Sequence, residues 1–162
     1  MFKAVFLDRD GVINEERKDY VKKINEFIIL KGISKAIKLL KQENFLVIII
    51  TNQSAINRKL LTVDELNKIH NHLQDILKKD DVIFDAIYYC PHKPDENCNC
   101  RKPKPGMLLR AAQENNIDLQ KSFLIGDSMT DIEAASAAGC KGILLKENES
   151  LLDIVENLLN DL

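Results

Sequence analysis

The feature that most constrains this chain is a short apolar run that stops at two acids. Residues 3–7 form a strand-forming sequence, and Asp8-Arg9-Asp10-Gly11 follows at once. Because residues i and i+2 of an extended segment share a side, the two carboxylates start out in the same direction. Carboxylates at the end of a buried strand are costly unless a cation, a substrate or hydrogen bonds compensate them. The run therefore predicts either a metal-assisted phosphoryl or acyl transfer site, or a strand-end turn in which Asp and Gly merely break regular structure.

Strands and helices alternate along the whole chain. Apolar runs predict strands at 3–7, 45–50, 86–89, 122–125 and 142–145. Helical patterns predict helices at 32–43, 62–79, 106–115, 132–138 and 151–159. Such alternation is typical of an α/β fold, a parallel sheet with helices on both faces in three layers. A chain of 162 residues is of single-domain size, so we expect one domain over residues 1–162.

Local chemistry marks the ends of three of these helices. Thr62 and Glu65 carry the signature of a capping box, and Gly139 is expected to close the helix at 132–138. Pro105 is expected to be the first residue of the helix that follows it. The segment 14–31 is irregular, polar and basic, and an excursion of that length often folds over a site.

Acidic and hydroxyl side chains fall at the carboxyl ends of predicted strands. Asp8, Asp10, Thr51 and Asp127 all occupy such ends, where ligands bind in parallel sheets. Magnesium prefers oxygen ligands and keeps several waters, so two or three acids suffice to hold it. We expect Asp8 and Asp127 to bind Mg²⁺ through side chains and Asp10 through its backbone carbonyl. Asp131, one helical turn after Asp127, either supports this site or complements the helix dipole.

Several polar and basic residues are candidates for binding phosphate. Thr51 and Asn52 either bind it through hydroxyl, amide and backbone N–H groups or serve in ordinary capping and turn chemistry. Lys102 is expected to clamp the phosphoryl group, and Arg101 beside it to grip a second anionic or hydroxyl group. Lys104 is expected at the surface, as most lysines are.

The strongest local signal is a group of three cysteines and one histidine. Cys90-Pro-His92-x5-Cys98-x-Cys100 brings four metal ligands within reach on one loop that has few apolar residues. Three thiolates and one imidazole make a closed tetrahedral zinc site, which is structural because no coordination position stays open. The alternative is a set of reduced, unliganded thiols. Cys140 stands apart and is expected to pack in the core.

Composition excludes several classes of partner. The formal net charge of −2 gives no footprint for nucleic acid, and no apolar run approaches the length that spans a membrane. The N-terminus lacks a signal peptide's basic start and long apolar stretch, so we expect a cytoplasmic location. His70 and His72 are two apart on a predicted helix, so they do not share a face and are expected at the surface.

The motifs Asp8-x-Asp10-Gly, Thr51, Lys102 and Gly126-Asp127-x3-Asp131, in this order, resemble those of the haloacid dehalogenase superfamily of phosphatases. Three longer runs resemble one branch of it: Asp-Arg-Asp-Gly-Val-Ile-Asn, Thr-Asn-Gln-Ser and Cys-Pro-His…Cys-x-Cys-Arg-Lys-Pro. That branch contains D-glycero-D-manno-heptose 1,7-bisphosphate 7-phosphatases and histidinol-phosphate phosphatases. The resemblance implies a Rossmann-like core without a large cap domain, with the zinc loop standing where other members carry a cap.

The resemblance also implies roles for individual residues. Asp8 would be the nucleophile that forms an aspartyl-phosphate, and Asp10 would protonate the leaving alcohol and later activate water. Thr51 and Lys102 would stabilise the phosphoryl group, while Arg101 would recognise the substrate. Mg²⁺ would be held by Asp8, Asp10 and Asp127. The implied substrate-binding residues are Glu16, Lys18, Asp19, Tyr20, Thr51, Asn52, Gln53, Ser54, Arg101, Lys102 and Ser128.

The two substrates of this branch leave different marks on the sequence. Pro105-Gly106-Met107 and Tyr88-Tyr89 resemble the heptose enzymes, whereas the five-residue gap between His92 and Cys98 resembles the histidinol-phosphate enzymes. Ser128 stands where heptose enzymes often carry Lys. We favour the sugar bisphosphate as the substrate. We expect the protein to be a monomer and to act in the synthesis of heptose precursors of lipopolysaccharide.

Two interpretations from other classes remain as alternatives. A phospho-accepting receiver domain also uses acids, Thr and Lys, but it accepts phosphate on an acid after a middle strand, whereas Asp8 follows the first. A zinc-stabilised binding module with degenerate chemistry is the other, although every expected catalytic residue type is present.

Overall fold

A computed structural model describes residues 1–162 and contains one five-stranded sheet in which all neighbouring strands are parallel. The strands are β1 (Lys3–Leu7), β2 (Phe45–Asn52), β3 (Ala86–Cys90), β4 (Phe123–Gly126) and β5 (Lys141–Leu144). They lie in the order β3-β2-β1-β4-β5. The α-helices are α1 (Ile33–Gln42), α2 (Val63–Lys78), α3 (Gly106–Glu114), α4 (Met129–Ala138) and α5 (Leu151–Asn160). None of them is both long and apolar enough to cross a lipid bilayer.

The sheet is covered on both faces, as the apolar runs predict. Val5 and Leu7 of β1 belong to a cluster of 27 buried residues that includes residues of α1, α2 and α5. Ala4 and Phe6 belong to a second cluster of 14 buried residues, on the side of α3 and α4. Successive side chains of a strand point to opposite faces, so one apolar run feeds both layers. The predicted three-layer α/β fold is confirmed.

The order of the strands fixes where a ligand can bind. The chain winds outward from β1 through β2 to β3, then returns to the other side of β1 for β4 and β5. The carboxyl ends of β1 and β4 therefore flank the point at which the winding reverses, which is where open α/β sheets bind ligands. The Asp8 amide donates to the Ile125 carbonyl at 3.0 Å, which brings the end of β1 against the end of β4.

Some predicted boundaries are confirmed and others shift. The Thr62–Glu65 capping box is present, and Gly139 ends α4 in the left-handed region at φ 88°. Pro105 is not the first helical residue but the N-cap of α3, with φ −87° and ψ 4°. Helix α4 begins at Met129, earlier than predicted, because Ser128 is its N-cap and forms a capping box with Asp131.

The prediction that His70 lies at the surface is wrong. His70 is only 5% exposed, and it lies on α2 between the buried Leu66 and Leu73. Spacings of four and three residues place all three on one face of a helix, so the apolar periodicity of α2 carries His70 into the core. His72 lies on a different face and is half-buried, with its ring edge-on to Phe27.

Candidate active site

A cleft of about 380 Å³ opens at the carboxyl edge of the sheet. Its volume is within the range of small-molecule sites. The lining includes most of the residues predicted to contact substrate or metal: Asp8, Asp10, Glu16, Lys18, Tyr20, Asn52, Gln53, Ser54, Arg101, Lys102, Asp127 and Ser128. Asp131 and Arg17, which lies within the predicted segment 16–20, also line it, together with three residues that sequence reasoning missed: Val21, Arg58 and Thr130.

Two predicted substrate contacts do not lie on the cleft wall. The Asp19 side chain is 63% exposed and is held away by ion pairs with Arg17 at 3.0 Å and Lys22 at 3.1 Å. Thr51 is fully buried below the wall, and its Oγ1 accepts a hydrogen bond from Gln53 Nε2 at 2.9 Å. The spacing of a motif predicts where the strand ends, but it does not predict which side chains at that end are covered by neighbouring side chains.

The Asp8 carboxylate stands at the base of the cleft. Its Oδ1 accepts hydrogen bonds from the Arg9 backbone N–H at 2.9 Å and from Lys102 Nζ at 3.0 Å. Burial raises the pKa of Asp8 to about 7, because the positive charge of Lys102 offsets only part of the desolvation and the nearby Asp131 adds to it. Additional positive charge in the cleft would therefore favour the ionised carboxylate.

Lys102 is buried, at 4% exposure, and all of its ammonium donors are used. Nζ donates to Asp8 Oδ1 at 3.0 Å, to Asp131 Oδ1 at 2.6 Å and to the Ile50 carbonyl at 3.0 Å. Burial by itself lowers the pKa of Lys102, but the two carboxylates outweigh it and raise the pKa. The Asn52 amide holds the Lys102 backbone through two hydrogen bonds, at 3.0 and 3.2 Å. The lysine is thus a fixed positive charge in the cleft base.

Asp131 combines the two roles that the sequence leaves open. One oxygen pairs with Lys102, and the other accepts from the Ser128 N–H at 3.2 Å in the capping box of α4. Gly126 makes this approach possible, because a Cβ there would lie 2.1 Å from Asp131 Oδ2. With one oxygen in the ion pair and the other in the capping box, Asp131 holds Lys102 and the start of α4 in fixed positions beside the other acids.

The geometry of Asp127 suits a divalent cation. The side chain is exposed to the cleft, and ligand oxygens of Asp8, Asp127 and Asp131 lie within 4.8 Å of one another. Partial burial raises the pKa of Asp127, and the negative charge of Asp131 adds to the effect. Gly11, at φ +85°, leaves the room that this carboxylate occupies, because a Cβ there would lie 2.1 Å from Asp127 Oδ2. Oxygen donors in this arrangement fit Mg²⁺.

The second acid of the motif, Asp10, is held by three side chains. Arg9 Nη2 and Asn14 Nδ2 donate to its Oδ1 at 2.8 and 3.0 Å, and Gln53 Nε2 donates to its Oδ2 at 2.9 Å. Burial alone raises the pKa of Asp10, but the Arg9 charge and these hydrogen bonds outweigh it and lower the pKa. The orientation of this carboxylate is therefore set by its neighbours before any ligand arrives.

Sequence reasoning assigned no role to Arg9, although it lies between the two motif acids. Arg9 is fully buried, and its Nη1 is 3.1 Å from His70 Nε2. An arginine next to two acids carries no sign of burial in its own local sequence. The signal that was available is the position of His70 on the apolar face of α2, since a buried imidazole needs a polar partner.

The cysteine-rich segment after β3 gathers its four candidate ligands. Cys90 Sγ lies 3.0 Å from Cys100 Sγ, 3.6 Å from Cys98 Sγ and 3.3 Å from His92 Nδ1. A tetrahedral zinc ion with Zn–S bonds of about 2.3 Å separates its sulfur ligands by roughly 3.8 Å, so the four atoms lie closer together than in such a site and would spread by less than about 1 Å to hold the ion. The Arg101 N–H donates to Cys98 Sγ at 3.3 Å, and Arg101 Nη1 donates to the His92 carbonyl at 3.2 Å. The cluster therefore anchors a residue of the cleft wall.

The resemblance inferred from the motifs is matched by direct comparison. The HAD-hydrolase-like family model matches residues 99–157. The chain is 44% identical over 144 residues to the D-glycero-beta-D-manno-heptose-1,7-bisphosphate 7-phosphatase of Helicobacter pylori (strain J99), covering 88% of this chain and 82% of the relative. It is 38% identical over 175 residues to the protein of the same name from Haemophilus ducreyi, covering 99% and 96%.

A solved structure agrees over nearly the whole chain. The D,D-heptose 1.7-bisphosphate phosphatase from B. bronchiseptica, complexed with magnesium and phosphate, has a TM-score of 0.91 and 37% identity, covering 99% of both chains. This agreement extends the family match beyond the C-terminal part and includes the strand ends that carry the acids. The chain belongs to the D-glycero-beta-D-manno-heptose-1,7-bisphosphate 7-phosphatase family of the haloacid dehalogenase-like hydrolases.

Proposed function

We propose that this protein is a magnesium-dependent phosphatase that hydrolyses the 7-phosphate of D-glycero-beta-D-manno-heptose 1,7-bisphosphate. The observation that carries the proposal is the full-length agreement with the magnesium- and phosphate-bound relative. The cleft supports it, because a nucleophile candidate, a second acid and a fixed ammonium group line one small volume. These lining residues come from one copy of the chain, so a monomer suffices for the chemistry.

The first step transfers the phosphoryl group to the protein. A carboxylate oxygen of Asp8 attacks phosphorus while the bond from phosphorus to the sugar oxygen breaks, giving an aspartyl-phosphate and an alcohol. Asp10 donates the proton that the leaving oxygen needs. Its pKa is low in the free protein, and the negative charge of an arriving phosphate raises it, so that Asp10 takes up this proton. Lys102 offsets charge on the phosphoryl oxygens.

The second step releases inorganic phosphate. Asp10, now ionised, accepts a proton from a water molecule whose oxygen attacks phosphorus, and the bond to Asp8 breaks. The hydrogen bonds from Asn14 and Gln53 keep the Asp10 carboxylate in one orientation through both steps. Thr51 helps to position Gln53, because its hydroxyl oxygen accepts a hydrogen bond from the Gln53 amide.

Asp8 and Asp127 would hold Mg²⁺ with their side chains and Asp10 with its backbone carbonyl. When bound, the ion supplies positive charge that favours the ionised form of Asp8 and screens the phosphoryl oxygens. Asp131 would fix the surroundings of the ion through its contacts with Lys102 and Ser128.

The rim of the cleft suits a second phosphate. Lys18, Arg58 and Arg101 line it, and none of the three takes part in an ion pair within the protein. Unpaired cations near a phosphoryl site attract additional negative charge. A sugar bisphosphate carries that charge, whereas a monophosphate does not.

The test is hydrolysis of the two substrates of this branch, compared side by side. The purified protein with Mg²⁺ should release phosphate from the heptose bisphosphate with a kcat/KM at least about tenfold above that for histidinol phosphate, which lacks the second anion for the rim. Omitting Mg²⁺ from the assay should stop the release, and adding it back should restore the release. The comparison matters because the gap between His92 and Cys98 resembles the histidinol-phosphate enzymes. A higher kcat/KM for histidinol phosphate would refute the assignment of the sugar.

Zinc is the second metal that we propose. Cys90, His92, Cys98 and Cys100 would bind it in a closed tetrahedral site. Burial raises the pKa of the Cys90 thiol, as expected for a group whose thiolate needs a cation beside it. The ion would hold together a segment that contributes few apolar residues to the core.

Removal of zinc is expected to lower the melting temperature and to raise KM for the substrate. The reason is that Arg101 is positioned by Cys98 and by the His92 carbonyl. Cys98→Ser should bind less zinc by elemental analysis and show both effects. Cys140→Ser is the matched control, because Cys140 is a buried cysteine outside the cluster and its loss should leave the zinc content at one per chain. An unchanged KM and melting temperature in zinc-free protein would contradict the proposal.

A further inference from the structure

We propose that His70, on α2, is a positioning residue that orients the carboxylate of Asp10 through the side chain of Arg9. The inference rests on the proposed role of Asp10 as the acid and base of the reaction. His70 lies outside the cleft lining, and its imidazole is hydrogen-bonded to Arg9, which does not line the cleft either. Its effect on the reaction would therefore pass entirely through a protein side chain.

The contacts form an unbroken chain from α2 to the cleft. His70 Nε2 is 3.1 Å from Arg9 Nη1, and Arg9 Nη2 donates to Asp10 Oδ1 at 2.8 Å. The Arg9 side chain is 0% exposed, whereas 26% of the Asp10 side chain reaches the cleft. A buried guanidinium thus joins a buried imidazole to an accessible carboxylate.

The direction of the hydrogen bond follows from the chemistry of its partners. Arginine stays protonated in proteins and offers only donors, so His70 Nε2 must accept. The imidazole is then neutral, with its proton on Nδ1. Burial, followed by the Arg9 charge, lowers the pKa of His70 to about 3, which agrees with a neutral ring. His70 therefore acts as a fixed acceptor and carries no charge of its own to the site.

Arg9 has few other groups that could hold its head in place. Its Nε is buried and has no hydrogen-bond partner, and the ring of Phe27 offers only a face 5.8 Å from the guanidinium carbon. Without His70, Nη1 would also be buried without an acceptor, which is unfavourable for a charged donor. The guanidinium would then turn to find another acceptor, and its hydrogen bond to Asp10 would be lost.

A displaced Asp10 has a distinctive kinetic effect. A sugar alkoxide leaves poorly and needs a proton from Asp10, whereas p-nitrophenolate leaves readily without one. Mispositioning Asp10 should therefore reduce hydrolysis of the heptose bisphosphate far more than formation of the aspartyl-phosphate from p-nitrophenyl phosphate. Formation of the aspartyl-phosphate is measured as the burst of p-nitrophenolate in the first turnover. The steady-state rate is not used for this substrate, because the later attack by water also depends on Asp10. General damage to the fold would reduce both rates together.

The experiment compares two replacements of His70. His70→Gln keeps an acceptor near the position of Nε2 and should retain most of the activity. His70→Asn has the shorter side chain, loses the bond to Arg9 and should lower kcat for the heptose bisphosphate at least about tenfold, because small misplacements of a catalytic group have effects of that size. Its KM and its p-nitrophenolate burst rate should change less than about threefold, well below the effect of losing general acid catalysis.

Leu73→Ala is the control for lost packing. Leu73 is fully buried on the same helix, so its truncation destabilises the fold without touching Arg9. It should leave the ratio of the two rates at the wild-type value. If His70→Asn lowers both rates by the same factor, or lowers neither, His70 is only a core residue and the inference is overturned. A wild-type protein that hydrolyses neither substrate would instead refute the proposed function, and with it the role of His70.

Discussion

The variant Asp8→Asn should release no phosphate from the heptose bisphosphate above the rate of the buffer, a loss of at least about 10⁴-fold, as is typical when a nucleophile is removed. The amide is similar in size to the carboxylate, so the contacts of Asp8 with the Arg9 N–H and the cleft base change little in shape. What is lost is the oxygen that bonds to phosphorus. The measurement is steady-state phosphate release with Mg²⁺, together with mass spectrometry of the trapped aspartyl-phosphate in the wild type.

The stability of the same variant separates chemistry from folding. The pKa of Asp8 is raised to about 7 in the folded protein, so the folded state holds this proton more tightly than the unfolded state. The stabilisation of the folded state that comes from this raised pKa is therefore lost as the pH rises from the pKa of an unfolded aspartate, near 4, to about 7. Asp8→Asn should lack this part of the pH dependence. Asp75→Asn, which changes an exposed acid on α2, is the control and should retain wild-type activity. Undiminished turnover in Asp8→Asn would exclude Asp8 as the nucleophile.

Replacing Lys102 with methionine should damage activity and stability together. Methionine keeps a similar length but leaves Asp8 and Asp131 facing each other without the ammonium group that now lies 3.0 and 2.6 Å from them. Removing one partner from a buried ion pair typically destabilises a protein by about 3–5 kcal/mol. The loss of a fixed charge at the phosphoryl group should lower kcat by about 10²–10³-fold. Chemical denaturation and steady-state kinetics at pH 7 measure the two effects.

The pH dependence of Lys102→Met gives an independent check. Without the lysine, the pKa of Asp8 rises further, so protonation of Asp8 relieves the unpaired negative charge and part of the lost stability should return as pH falls from 7 toward 5. Lys104→Met removes an exposed lysine two residues away and should leave stability and kcat unchanged. Wild-type stability in Lys102→Met at neutral pH would show that Lys102 is not the counter-charge of the cleft base.

The parts of the site that could be predicted depend on backbone geometry. Asp8 and Asp10 were found because an apolar run ends at them, and Asp127 because it ends another run in the same sheet. Parallel strands place such ends at one edge whatever the details of packing. The cysteine cluster was found because its four ligands lie within eleven residues, so local spacing alone brings them together.

The parts that could not be predicted depend on packing between distant segments. Arg9 is buried against a histidine 61 residues later in the chain, and nothing near Arg9 in the sequence indicates that partner. Asp19 sits in a segment expected to cover the site, but two basic neighbours hold it outside the cleft. Thr51 lies at the predicted strand end, yet Gln53 covers it. Propensity and periodicity describe single elements, whereas these outcomes are set by which side chains meet.

Two glycines beside the cleft, Gly11 and Gly126, link the backbone to the charges of the site. At Gly11 and at Gly126, even a methyl group would occupy space in which a carboxylate oxygen now stands. Neither glycine carries a reacting atom, yet each is tied to one acid, Gly11 to Asp127 and Gly126 to Asp131. A substitution at either glycine would displace the carboxylate of its acid. During evolution, each glycine can therefore be replaced only together with that acid.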